Sequence, residues 1–110
     1  MNERAFSGAR RLGSGTIEVA DGGPARVAGS LSFATVSMLL PVGADAIEHG
    51  RAAIIDLAGV TASDSAGLAL LIEWLSIAGA SGQTLHFENI PAQLRQLARL
   101  SEVEELLGTT

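Results

Sequence analysis

Between Ala52 and Leu57 the chain runs AAIIDL, six residues without polar alternation that close on a carboxylate. A run of that kind reads as a buried central strand, which needs neighbours in its sheet and helices over it. The flanking sequence can supply both. Upstream, TIEVA (Thr16–Ala20) alternates with period two, DGGP (Asp21–Pro24) is turn chemistry, and ARVAGS (Ala25–Ser30) reads as a second strand, which together predict a hairpin. From Phe33, FATVSMLLPVGADAIEHG carries Val36, Leu39 and Leu40 in helical phase, with Ser30 or Ser32 placed to cap it and Gly50 to end it. Pro41 lacks an amide hydrogen and clashes with the preceding turn, so it is expected to break or restart this helix.

Downstream, AGVTASD reads as a loop and Ser65 to about Ala80 as a helix closed by GASG. TLHFEN then alternates as a strand, and IPAQLRQLARL opens a helix with Pro91 at its first position. SEVEELL follows, with Ser101 and Glu104 spaced as a capping box. Strands alternating with helices in this order predict an α/β fold, a small and mostly parallel sheet with an N-terminal hairpin and crossover helices. At 110 residues the chain is read as one domain over 15–110, preceded by a loosely ordered segment over 1–14 that shows no sustained periodicity.

Composition narrows the function classes. Hydrophobic residues make up 47% and charged residues 17%, which suits a compact globule. Cysteine is absent, so disulfides and thiolate metal sites are excluded. All seven basic residues are arginine and the formal net charge is −5, without the basic stripe that nucleic acid requires. Nothing resembles a signal peptide, and no apolar stretch approaches the ~20 residues of a membrane span. The expectation is a cytoplasmic protein that does not itself insert into a membrane.

The stretch VTASDSAGLALL (Val60–Leu71) sets small polar residues against a strongly apolar helix. Asp64 or Ser63 can cap that helix and satisfy its free amides. Around the helix, Leu68, Leu71, Ile72, Leu75 and Gly79 share one side, which should face the sheet, at about 100° per residue. Leu70, Trp74 and Ile77 form a second stripe. It can pack on a neighbouring helix of the same domain or serve as a partner-binding patch, since a large aromatic is costly to leave in water.

The segment from Ile54 to Leu107 resembles the STAS domain family, the fold of bacterial anti-sigma factor antagonists. The family pattern is a strand ending in Asp-Leu, a short loop, then Asp-Ser-x-Gly-Leu entering a helix. Asp56, Leu57, Asp64, Ser65, Gly67 and Leu68 stand at those places. The resemblance implies that Ser65 occupies the position phosphorylated in some members, although the second serine often found next to it is Ala66 here. GLALLIEWL, NIPAQLRQLARLSEVEELL and the proline in the first helix are more similar to the small STAS subunit of Mla-type phospholipid ABC transporters. That likeness implies a noncatalytic subunit that binds the transporter's cytosolic ATPase and sits peripherally at the inner membrane. The alternative is an antagonist that captures an anti-sigma factor kinase and is released when Ser65 is phosphorylated. On either reading the expected partner-binding residues are Ser63, Asp64, Ser65, Ala66, Gly67, Leu70 and Trp74, with Gly67 letting a partner backbone approach.

Other chemistry is thin. Asp56 is read as a structural acceptor for loop amides, and His49 and His86 have no evident triad or metal partners. Arg95 and Arg99 lie one turn apart and should pair with nearby acids. GSG (Gly13–Gly15) is a weak phosphate-loop lookalike, because the chain has no G-x-x-x-x-G-K-[ST] and no lysine at all. No cofactor, metal site or catalytic group is expected.

Overall fold

The computed structural model describes residues 15–19 and 23–108, so the expected loose segment 1–14 and the first half of the DGGP turn lie outside the described residues. The elements are β1 (Thr16–Glu18), β2 (Ala25–Leu31), α1 (Phe33–Glu48), β3 (Ile54–Ser63), α2 (Ser65–Ala80), β4 (His86–Glu88), α3 (Ala92–Leu100) and α4 (Glu104–Leu107). The sheet has the order β1-β2-β3-β4, with β1 antiparallel to β2 and the other pairs parallel. Both crossovers step in the same direction across neighbouring parallel strands, and right-handed connections therefore place α1 and α2 on one face. The expected hairpin and mainly parallel sheet are both present.

The apolar run lies in β3, the strand between β2 and β4, but only one face of that strand is covered. Ile55 and Leu57 are buried, whereas Ile54 and Asp56 are half-buried and Ala58 is exposed. The strand is also longer than expected, because AGVTASD is not a loop up to Ser63. Its pairing with β2 explains the misreading. Arg26 to Ala28 spans two steps opposite three from Asp56 to Gly59, and Gly29 to Ser30 spans one opposite two from Val60 to Ala62. β3 thus carries two bulges, each inserting one residue. The buried positions fall at Ile55, Leu57, Val60 and Ser63, so the period of two stretches to three at each bulge and the alternation disappears.

Helix α1 runs unbroken through Pro41, contrary to the expected break. The proline and Ser37, whose carbonyl loses its partner, both lie on the exposed side, where water replaces the missing bond. The buried arc of α1 is Thr35, Leu39, Gly43, Ala46 and Ile47. Opposite it stands Trp74 of α2, fully buried, its indole N–H donating to the Leu40 carbonyl at 3.1 Å. Helix α2 touches α1, β3, α3 and α4. That position leaves few of its apolar side chains for solvent and accounts for its two apolar stripes.

Smaller expectations also shift. Gly79 is exposed instead of facing the sheet, and Pro91 is the N-cap of α3 with extended backbone, not its first helical residue. Ser101 ends α3 and Val103 caps α4, so the Ser101–Glu104 capping box does not form; the Glu104 carboxylate pairs with Arg99 at 3.3 Å instead.

The α1–α2 contact predicts opposite signs for one substitution at two helical glycines. A Cβ at Gly43 would collide with the Trp74 indole, whereas one at Gly79 meets nothing within 4 Å. Alanine improves helix propensity by about 0.8–1.0 kcal/mol at either site, but overpacking at the first costs ~1–3 kcal/mol or more. Urea unfolding should show Gly43→Ala less stable than wild type and Gly79→Ala more stable. Equal shifts in the same direction would mean that Trp74 does not rest on Gly43.

Candidate functional site

The candidate site is assembled where β2 and β3 deliver their chains to α1 and α2. Leu31 and Ser63 are register partners, and two residues beyond each a helix begins, at Phe33 and at Ser65. The Asp64 amide donates to the Leu31 carbonyl at 3.1 Å, tying the two helix entrances together. Among the described residues, the two buried polar side chains are Thr35 and Ser63, and both are used at these joins. Thr35 Oγ1 accepts from the Ser32 amide at 2.9 Å and donates to the Ser30 carbonyl at 2.8 Å. Ser63 Oγ donates to the Asp64 carbonyl at 3.0 Å, while the Ser63 amide donates to Gln93 Oε1 at 3.1 Å.

Asp64 is the N-cap of α2, its Oδ1 accepting from the Ala66 amide at 2.8 Å. Ser65 follows it, exposed, on the first turn. Gly67 is buried, and its bare Cα is an internal requirement: a Cβ there would strike Ser63 Oγ and the Leu31 side chain. The expectation that Gly67 faces a partner is therefore corrected, because it is spent on closing the helix against the sheet; Ser63 is 6% exposed, with its amide and hydroxyl bonded internally, and reaches only the edge of the depression beside Ser65. Leu70 and Trp74 are corrected as well. They are 1% and 0% exposed, packed inside the domain, and Ile77 is half-buried against the same core. Of the expected partner-binding set, Asp64 and Ser65 remain exposed and Ala66 is half-exposed.

What adjoins Ser65 was not read from the sequence. Ser63, Asp64 and Ser65 form one wall of an open depression of about 450 Å³, and Gln93, Gln96, Leu97 and Leu100 of α3 form the other. The i, i+3, i+4, i+7 spacing of those four places them on one face of α3, a signal that was available. Leu100 is 77% exposed and Phe33 83%. Phe33 lies about 110° from the centre of the buried arc of α1 at 100° per residue, so its outward position was also legible.

Away from this end, Asp56 joins three strands. Its Oδ1 accepts from the Asn89 side-chain amide at 3.0 Å and from the Ala58 amide at 2.9 Å, and the Arg26 guanidinium stands 4.0 Å from Oδ2. The Asn89 bond, then the Ala58 bond, hold this carboxyl below its ordinary value; partial burial opposes them, and Arg26 adds a smaller lowering. Asn89 has a φ of 56° and Ala58 lies in the first bulge, so the carboxylate pins two irregular stretches of backbone. His49 contacts Asp45, His86 is exposed on β4, and among the described residues no group of three His, Asp or Glu could hold a metal ion.

A family model described as Mlab, STAS domain, matches residues 21–108. No curated protein matches the sequence. Among solved structures, the chain is similar to the anti-sigma factor antagonist SpoIIAA in its unphosphorylated form, with a TM-score of 0.64, 17% identity and 84% of each chain covered. It is likewise similar to the Bacillus cell fate determinant SpoIIAA in the phosphorylated form, with a TM-score of 0.63, 17% identity, and 84% of this chain and 86% of that one covered. At this identity the likeness is one of fold, and it agrees with the α/β architecture.

The Asp56 geometry predicts a pH dependence. A carboxyl lowered in the folded state contributes stability that is complete above its unfolded value, near 3.8, and is lost as pH falls through the lowered folded value. Asp56→Asn should be less stable than wild type at neutral pH. The gap should close between about pH 5 and pH 2, because only wild type loses this contribution. Parallel unfolding curves across that range would show that the carboxylate's charge contributes nothing.

Proposed function

The chain belongs to the STAS domain family, and we propose that within it the protein is a noncatalytic regulatory subunit of a Mla-type ABC transporter. It binds and supports the transporter's cytosolic ATPase, and so serves phospholipid transport between membranes and outer-membrane lipid asymmetry. The observation that supports this reading most is the exposed Ser65 at a rigidly built helix entrance, in a chain whose matching family model carries the Mlab description. The first turn of α2 is fixed by the Asp64 cap, the Ser63 network and the Gly67 contact, so a partner meets a surface already ordered for binding. No lysine and no phosphate-binding loop occur in the sequence, which leaves nucleotide hydrolysis to the partner.

The protein then lies in the cytoplasm, at the inner membrane only through the complex. Among the described residues no helix is long and apolar enough to cross a membrane. A second reading, a partner-switching antagonist released from a kinase when Ser65 is phosphorylated, draws on the likeness to SpoIIAA. That likeness extends to fold, whereas the family description favours the transporter.

The purified chain should hydrolyse no ATP and should co-purify with a separate ABC ATPase. Ser65→Ala removes one hydroxyl and should bind almost as wild type. Ser65→Glu adds charge and length, and should weaken ATPase binding by about 1–2 kcal/mol through desolvation and crowding. Its fold should survive, as checked by circular dichroism, because an acid in the first turn suits the helix dipole. Equal affinities for all three would place Ser65 outside the interface. Recovery of a sigma-regulating kinase with no ABC subunit would favour the antagonist.

A further inference from the structure

We propose that the docking face is anchored by Phe33 and Leu100, beside Ser65, and takes an ATPase surface that offers an apolar socket bordered by basic side chains. The inference rests on the docking reading above and assigns its contact energy to residues that reading does not name. Interfaces of this kind draw most of their affinity from a few aromatic or aliphatic anchors near the centre. Trp74 cannot be such an anchor, since it is fully buried beneath α1, and Phe87 is 1% exposed. Among the described residues Phe33 is the exposed aromatic, at 83%.

Its position is set by the strands. Leu31 and Ser63 are paired, and Phe33 and Ser65 each lie two residues further on, as first residues of their helices. The Asp64 amide bonds the Leu31 carbonyl at 3.1 Å, so the two helix starts adjoin at one end of the sheet. Leu100 lines the depression whose other wall is Ser63, Asp64 and Ser65, and is itself 77% exposed. Phe33 therefore begins α1 at the end of the sheet where Ser65 begins α2, and Leu100 borders the depression that Ser65 lines.

Charge identifies the surface that covers it. The depression beside Ser65 contains one charged residue, Asp64. Arg26 and Arg51 lie at the opposite end of β2 and β3, Arg99 is paired with Glu104, and Arg95 borders another depression with Glu104 and Glu105. With a net charge of −5 overall and no described arginine on this face, a basic rim is attracted and an acidic one repelled.

The test is calorimetric titration of the full chain and its variants against the purified ABC ATPase subunit at low and high salt. Phe33→Ala should weaken binding about tenfold or more, and Leu100→Ala should weaken it in the same direction. Val42→Ala, an exposed apolar residue further along α1, should bind as wild type. Asp64→Ser keeps a cap acceptor, and should weaken binding and flatten its salt dependence. Wild-type affinity in Phe33→Ala, with binding still weakened in Ser65→Glu, would overturn the anchor assignment and leave the docking reading standing. Failure of the wild-type chain to bind the ATPase would overturn both. If Phe33→Ala instead dissociated a homodimer and left ATPase affinity unchanged, the occupant would be a second copy and the proposal would fall.

Discussion

At the end of β3 the Ser63 amide has no strand partner, because β4 pairs only with Ile54–Asp56, and the Asp64 amide makes the closing bond to β2; their destinations organise the molecule. The Ser63 amide goes to Gln93 Oε1 and brings the start of α3 against the sheet; the Asp64 amide goes to the Leu31 carbonyl and joins the two helix entrances. A buried amide left without a partner costs roughly 1–3 kcal/mol, so each of these bonds is required as well as permitted. Gly67 then closes over Ser63 and Leu31 where no larger residue fits. The same few contacts that end the strand also hold Ser65 outward.

The two bulges in β3 serve this arrangement. Opposite the seven residues of β2, the ten of β3 include two that are inserted; the first reverses the facing of the side chains after it and the second restores it. Val60 turns inward because of the first insertion, the second restores the original phase, and Ser63 reaches the join with its hydroxyl buried and satisfied. Asp56 steadies the first bulge from below through Ala58 and ties it to Asn89 beyond β4. Fold and site therefore share one strand, irregular at its centre and anchored by side-chain oxygens.

Much of this was legible in the sequence, and the failures have physical causes. Element order, the parallel sheet and a polar cap at Ser63 or Asp64 follow from periodicity, turn residues and capping chemistry, and the structure assigns the cap to Asp64. The bulges erase the alternation after Leu57, so the strand reads as loop there. A proline is expected to break α1, but Pro41 falls on the side of the helix that faces water, where the bond it removes is replaced. The Trp74 stripe left both internal and external packing open. The bare Cα of Gly43 decides between them, since it admits the indole, and a glycine on a different helix gives no such signal until the helices are placed. Phe33 begins a run of apolar residues and reads as their first member, although its angle sets it apart from the buried arc.

The central claim is that the partner covers the end of the sheet where α1 and α2 begin. Hydroxyl-radical footprinting of the chain, free and bound to the ABC ATPase, tests it at side-chain level. The account predicts that Phe33 and Leu100 are modified readily in the free chain and lose that reactivity in the complex, while Val42 keeps its own. Phe33 and Leu100 remaining as reactive in the complex as in the free chain would contradict it.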